Sequence, residues 1–278
     1  SDLYDAADGG ATTLAKVTVT GDSNLTIGTA LAFAGSGGTL DAATSTGDVT
    51  VTFAGTNDIA TGGSGDDTFT FAGNLDVNDL VNGGEGSDSV SVTDAVMDAL
   101  TSTTLNPVAG ARVTNVETVI VSTEVLTGAT YSTTDVSSTV NKIVVEDDLI
   151  DGTFTYAAGA NTFTMGSADG VTDDVAATDK FTTSAAFVVS GAATDDSLTF
   201  EVASSVVDLN SASITTTGVE TLTISNSKED TTYDIGAISM TASSGGATTV
   251  NFVGSKNANA NAITAQTIDA SGLTGSAT

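Results

Sequence analysis

Along most of the chain, apolar residues alternate with threonine, serine or another polar residue in short runs. Val17 and Val19 stand two apart, as do Val49, Val51 and Phe53, Phe69 and Phe71, and Val90 and Val92. The same spacing recurs in Val119 and Val121, Phe154 and Tyr156, Leu198, Phe200 and Val202, and Leu222 and Ile224. A period of two places such side chains on one face of a β-strand, and the β-branched or small polar residues between them suit a half-solvated opposite face. Clusters of Gly, Asp and Asn between the runs supply turns. The pattern therefore predicts an all-β chain of many short strands. Helical spacing is confined to "DAVMDALTS" from Asp94, which predicts a connecting helix capped by that aspartate and burying Val96, Met97 and Leu100.

Strands this frequent, with few bulky aromatics, favour a parallel β-roll or β-helix, a solenoid in which each coil buries a few side chains against its neighbours. Tandem β-sandwich domains are the alternative. Internal similarity supports the repetitive reading. "NVETVIVS" at 115–122 returns as "GVETLTIS" at 218–225, "TVNKIV" at 139–144 as "TVNFVG" at 249–254, and "LDAATSTGDVT" at 40–50 as "IDASGLTGSAT" at 268–278. The chain accordingly divides into a β-solenoid segment, 1–103, and a continuing β-strand repeat region, 104–278, that stops part-way through a repeat. It is expected to be a piece of a longer repetitive protein.

Composition narrows the chemistry. Thirty-five acidic residues face only 6 basic ones, for a formal net charge of −29, with no histidine, cysteine or tryptophan. The usual zinc ligands, thiol nucleophiles and Ser-His-Asp triads are excluded by residue type. Nucleic-acid phosphate and anionic membranes are repelled, whereas small cations are attracted. No apolar run approaches the ~20 residues of a membrane-spanning helix, so no membrane insertion is expected.

One pattern matches that cation preference. The template G-G-x-G-x-D-x-U-x, with U a large apolar residue, is filled by Gly62, Gly63, Gly65, Asp67 and Phe69, and again by Gly83, Gly84, Gly86, Asp88 and Val90. Upstream half-repeats place Asp58 nine residues before Asp67 and Asp79 nine residues before Asp88. Glycine admits the backbone angles of a tight turn in which carbonyl oxygens converge, and the hydrophobe points into a narrow core. Stacked carboxylates and carbonyls are hard ligands that suit calcium, with ~6–8 oxygens at ~2.3–2.6 Å.

These repeats resemble the RTX family of calcium-binding bacterial proteins exported by type I secretion. The resemblance implies a β-roll with Ca2+ in its glycine-rich turns, Asp58, Asp67, Asp79 and Asp88 as carboxylate ligands, and Gly62, Gly63, Gly65, Gly83, Gly84 and Gly86 as carbonyl donors. The motif covers residues 53–91. A degenerate third copy, "GAATDDSLT" at 191–199, aligns Asp196 with Asp67 and adds it to the implied metal ligands. Two departures stand out. The repeats lie 21 residues apart where uninterrupted nonapeptides give 18, so "FAGNLD" must bulge or extend a strand; and Ala60 fills an apolar position usually larger, as at a weakly filled end of the roll. Other acidic clusters at 146–151, 169–174 and 228–230 read as surface turns, with Asp147, Asp148 and Asp151 the one alternative metal group. Glu117 and Glu220 recur in equivalent strands, where capping and a metal role are equally open.

The remaining chain, acidic, cysteine-free and rich in Thr, Ser, Ala and Gly, resembles the β-strand repeats of RTX-bearing bacterial surface-layer proteins through its "VET" strands and "DASGLTG". That likeness implies a secreted structural protein of the S-layer at the cell surface, not an enzyme, which self-assembles with identical subunits into a two-dimensional lattice and meets cell-surface polysaccharide through other parts. The stalk of a large RTX adhesin or biofilm-matrix protein is the nearest alternative. A polysaccharide-active β-helix enzyme ranks lower, because it requires a base and cations and the chain offers Arg112, five lysines and no histidine.

Overall fold

The computed structural model describes residues 14–33, 37–55, 57–101, 112–166, 181–191, 193–203, 209, 212–226, 233–243, 245–255 and 257–275. Its first strands are β1 (Lys16–Gly21), β2 (Leu25–Leu31), β3 (Thr39–Ser45), β4 (Val49–Phe53), β5 (Ile59–Thr61), β6 (Thr68–Ala72), β7 (Leu80–Asn82) and β8 (Ser89–Val92). Helix α1 (Asp94–Thr101) follows, then β9 (Val113–Thr114), β10 (Thr118–Val121), β11 (Ala129–Ser132), the short helix α2 (Thr133–Val136) and β12 (Lys142–Val145). The remaining strands are β13 (Leu149–Ala157), β14 (Ala160–Met165), β15 (Phe181–Ser190), β16 (Ser197–Val202) and β17 (Ser213–Thr217). They end with β18 (Thr221–Asn226), β19 (Tyr233–Thr241), β20 (Thr249–Gly254), β21 (Ala258–Thr264) and β22 (Thr267–Leu273).

Among the described residues every strand pairing is parallel. All even-numbered strands form one 11-stranded sheet in chain order, while the odd-numbered ones form a 5-stranded sheet, β1 to β9, and a 6-stranded sheet, β11 to β21. Parallel neighbours need a crossover connection, and here the intervening strand in the other sheet supplies it. The result is an all-β chain with long parallel sheets, compatible with a β-roll or β-helix. The antiparallel layers of a sandwich are a different arrangement. The 11-stranded sheet passes from β8 to β10 without a break, whereas the odd-numbered strands change sheets after β9.

The alternating residues all point inward. Val49, Val51, Phe53, Phe69, Phe71, Val90, Val92, Val119 and Val121 are buried at the 11-stranded sheet, as are Leu198, Phe200, Leu222 and Ile224. Scarce aromatics do not mean a thin core: all ten phenylalanines are buried. Phe53 stacks on Phe71 at 4.6 Å, and Phe154 packs against both Phe163 and Phe187, at 4.8 and 5.4 Å. Each fully buried ring removes apolar area worth about 1.5–3 kcal/mol.

Helix α1 forms where expected and buries Val96, Met97 and Leu100. Its cap is Thr93 rather than Asp94, since the Thr93 carbonyl accepts the Val96 and Met97 amides. The buried Asp94 carboxylate instead accepts the Tyr131 hydroxyl. Burial and that carboxylate hold the phenol well above its ordinary titration range.

The repeat landmarks separate in register. The "VET" copies are equivalent: Asn115 and Gly218 both have positive φ, 50° and 73°, and Val116 and Val219 are buried before β10 and β18. The "TVN" copies are offset by three positions, because Lys142 pairs with Thr118 while Thr249 pairs with Thr221. The third pair occupies different sheets, β3 in the 5-stranded and β22 in the 11-stranded one.

Candidate carboxylate ladders at the glycine turns

Each implied aspartate immediately precedes a strand and turns its side chain inward. Asp58, Asp67, Asp79, Asp88 and Asp196 are all buried, none more than 1% exposed. A buried carboxylate demands hydrogen-bond donors, and these come from backbone amides one coil away. Along the 11-stranded sheet, the Val49 N–H donates to Asp67 at 2.7 Å, the Asp67 N–H to Asp88 at 2.7 Å, and the Asp88 N–H to Glu117 at 2.9 Å. Along the 5-stranded sheet, the Gly38 N–H donates to Asp58 at 3.1 Å and the Asp58 N–H to Asp79 at 2.6 Å. The half-repeats thus alternate between sheets, and each ladder joins residues 21 apart: Asp58 with Asp79, and Asp67 with Asp88.

A third ladder stands at the degenerate copy. The Gly159 N–H donates to Asp196 at 2.6 Å, the Asp196 N–H to Glu220 at 3.1 Å, and the Ser243 N–H to the other Glu220 oxygen at 2.7 Å. Glu117 and Glu220 therefore occupy equivalent ladder positions; their recurrence before a strand was the sequence signal for this. An outer row, unmarked in the nonapeptide template, lies beside the first ladder. There the Asp66 N–H donates to Asp48 and the Ser87 N–H to Asp66, at 2.9 and 2.8 Å.

The glycines let coils stack this closely. A Cβ on Gly62 would meet the Gly83 carbonyl oxygen at 1.9 Å and Asp67 Oδ2 at 2.2 Å; one on Gly83 would meet the Asn115 oxygen at 1.9 Å and Asp88 Oδ2 at 2.4 Å. Gly84 and Gly86 have positive φ, 112° and 119°, and face the carbonyl oxygens of Gly63 and Gly65. A Cβ on Gly63 would meet the Ser45 oxygen at 2.1 Å, and one on Gly65 the Gly47 carbonyl carbon at 2.6 Å. "FAGNLD" bulges as its length requires: the β6–β8 register shifts between Thr70 and Ala72, where Ala72 has φ 49°. Ala60 is not at an end. It sits between Leu40 and Val81, with β1 and β3 beyond it.

The donor set is oxygen throughout, which suits a hard divalent cation. Asp58 Oδ2, Asp88 Oδ2 and Asp196 Oδ2 are buried without a hydrogen-bond partner and are the oxygens left to a cation. Asp67 and Asp79 engage both oxygens with amides, Gly63 N–H and Asp76 N–H completing the sets at 2.7 and 2.6 Å. Within each ladder the carboxylates stack one per coil, and among the described residues no group of three acidic side chains gathers as a metal cluster. In the 146–151 cluster, Asp147 accepts the Asp148 amide and Asp151 the Gly128 amide, at 2.7 and 2.5 Å, so both tie turns. The clusters at 169–174 and 228–230 lie outside the described residues.

Burial pushes the Asp58, Asp67 and Asp79 carboxyls above the ordinary carboxylate range. Asp88 is pushed up to about 7, by burial first and then by Asp67, Glu117 and Asp66. A carboxyl raised in the folded state binds a proton that the unfolded chain has already released, so folding is favoured as pH falls through that range. Metal-free protein is expected to gain stability from pH 8 to pH 5. The urea midpoint checks this, and Asp88→Asn should flatten the slope; an unchanged slope would place the effect elsewhere.

No protein-family model matches the chain, and neither a curated protein nor a solved structure matches it.

Proposed function

We propose that the chain is a structural, non-enzymatic component of a bacterial surface layer, a calcium-stabilised β-roll that assembles with its own copies at the cell surface. The observation that carries this reading is the stack of buried carboxylates at glycine turns of a parallel winding. Asp58, Asp88 and Asp196 would hold Ca2+ through their unpartnered Oδ2 atoms together with carbonyl oxygens of the turn glycines, and Asp67 and Asp79 would join them by exchanging an amide for the ion. Bound calcium would neutralise stacked charge and tie neighbouring coils.

The energetics agree with that role. At −29 the chain repels itself within and between copies. A ligand that binds only the folded state adds about 2.7 kcal/mol per independent site at a hundred times its dissociation constant. Export unfolded and folding in calcium-rich surroundings, which the RTX resemblance implies, would fit the same linkage.

Titrating chelated protein with calcium, against a magnesium control, tests this through circular dichroism and negative-stain microscopy. Calcium-specific gain of β-structure followed by ordered sheets is the expected result. Folded but persistently monomeric protein would transfer the reading to an adhesin stalk, and no response to calcium would remove the metal from it.

A further inference from the structure

Exposed apolar and basic residues are not spread evenly over this acidic chain. On the 5-stranded sheet, Lys16 pairs in register with Thr39, Thr39 with Ile59, and Ile59 with Leu80. The next residue along this column is Arg112, whose carbonyl accepts the Val81 amide at 2.7 Å just before β9. One outward column thus runs Lys16, Thr39, Ile59, Leu80, Arg112. Ile59 and Leu80 are 39% and 42% exposed, two of the four exposed large hydrophobics among the described residues. A third, Leu126, precedes β11 and so belongs with the odd-numbered strands too, while the fourth, Ile268, lies on β22, the last strand of the 11-stranded sheet.

The other side of each coil differs. The outward column of the 11-stranded sheet reads Thr50, Thr68, Ser89, Thr118, Lys142, Thr162, in pairwise register, and carries no aliphatic residue; Lys142 pairs with Glu201 at 3.8 Å, as Lys16 pairs with Asp41 at 2.7 Å on the 5-stranded side. Among the described residues Lys16 and Arg112 are two of the three basic ones, on a chain with 35 acidic residues. Two adjacent aliphatics beside Arg112, with the Lys16–Asp41 ion pair at the far edge, form a face without net negative charge, where an acidic partner loses repulsion and gains apolar contact. The polyanion the chain itself supplies is its own turn edge, where Asp48 and Asp66 stack outward.

We infer that the Lys16–Ile59–Leu80–Arg112 face is a contact surface for a second copy of this chain, received through that copy's acidic turn edge. This rests on the self-assembling reading above and specifies the contact. Two different patches meet, so the contact is heterologous and propagates instead of closing into a dimer, as an extended lattice requires.

The test compares wild type, Arg112→Gln, Leu80→Asp, Arg112→Glu and Thr223→Glu, the last adding to the 11-stranded side the single negative charge that Leu80→Asp adds and that Arg112→Gln matches in net change. Each full chain is given excess calcium and followed by sedimentation velocity, with circular dichroism as the folding control. Arg112→Gln, Arg112→Glu and Leu80→Asp are expected to keep their β-signal while the concentration needed for assembly rises about tenfold or more, equivalent to 1.4 kcal/mol. Thr223→Glu should stay near wild type. If Leu80→Asp loses β-structure, the two Arg112 variants carry the comparison. Unimpaired assembly of Arg112→Glu overturns the contact and leaves the surface-layer reading intact, whereas a wild type that never assembles overturns both.

Discussion

Gly83→Ala is expected to cost at least about 3 kcal/mol, at or beyond the upper end of ordinary overpacking. The added methyl would lie 1.9 Å from the Asn115 carbonyl oxygen and 2.4 Å from Asp88 Oδ2. Relief requires two coils to separate, because the nearest obstacle is backbone and not the tip of a flexible side chain. Separation would lengthen the Gly83 N–H bond to the Thr114 carbonyl, now 3.0 Å, and the Asp88 contacts beside it. Gly73→Ala is the matched control, since nothing lies within 4 Å of its Cβ position. At about 2–4 °C per kcal/mol for a chain of this size, the first substitution should lower the melting temperature by roughly 10 °C. Equal melting temperatures for the two variants would mean that the coils are not stacked as closely as described.

Asp88→Asn is expected to change sign with calcium. Without the ion, a carboxyl pushed up to about 7 by burial and then by neighbouring carboxylates is a burden at pH 8, and the amide removes it while its oxygen still accepts the Asp67 N–H. The variant should then unfold at a higher urea concentration than wild type. With saturating calcium the order should reverse, because the variant forfeits the linkage stabilisation of its site, about 2.7 kcal/mol at a hundred times the dissociation constant. Paired unfolding curves in chelator and in calcium read both halves. A variant on the same side of wild type in both buffers would show that Asp88 is structural only.

Much of the scaffold was legible in the sequence because strand alternation is a local signal. Each inward residue, such as Phe69 or Leu198, is marked by polar neighbours on both sides, and the same turn chemistry brackets every run. Ladder partners were less legible. Asp67 lies nine residues from Asp58, yet winding hands it to Asp88 in the next coil, a relation set by coil length and not by sequence proximity. The glutamates escaped a definite role because one methylene separates them from the aspartate template, although they accept the same kind of amide. The cap of α1 was misassigned for a tertiary reason. Asp94 is claimed by Tyr131, 37 residues away, and Thr93 takes the helix terminus. Short-motif similarity misled where register or sheet differed: the "TVN" copies are three positions apart in register, and "LDAATSTGDVT" and "IDASGLTGSAT" lie in different sheets.

The parallel winding also fixes how the molecule bears load. Strand-to-strand hydrogen bonds point from each coil to the next, so tension applied between the two ends pulls along those bonds and opens them a coil at a time, like a zipper. The 11-stranded sheet carries that tension without interruption, but on the other side the bonded row stops at β9 and restarts at β11. At this joint strand bonds carry force on one side only, and the other side is held by side chains, Tyr131 of β11 donating to Asp94 of α1, which makes it the place where the winding is expected to yield first.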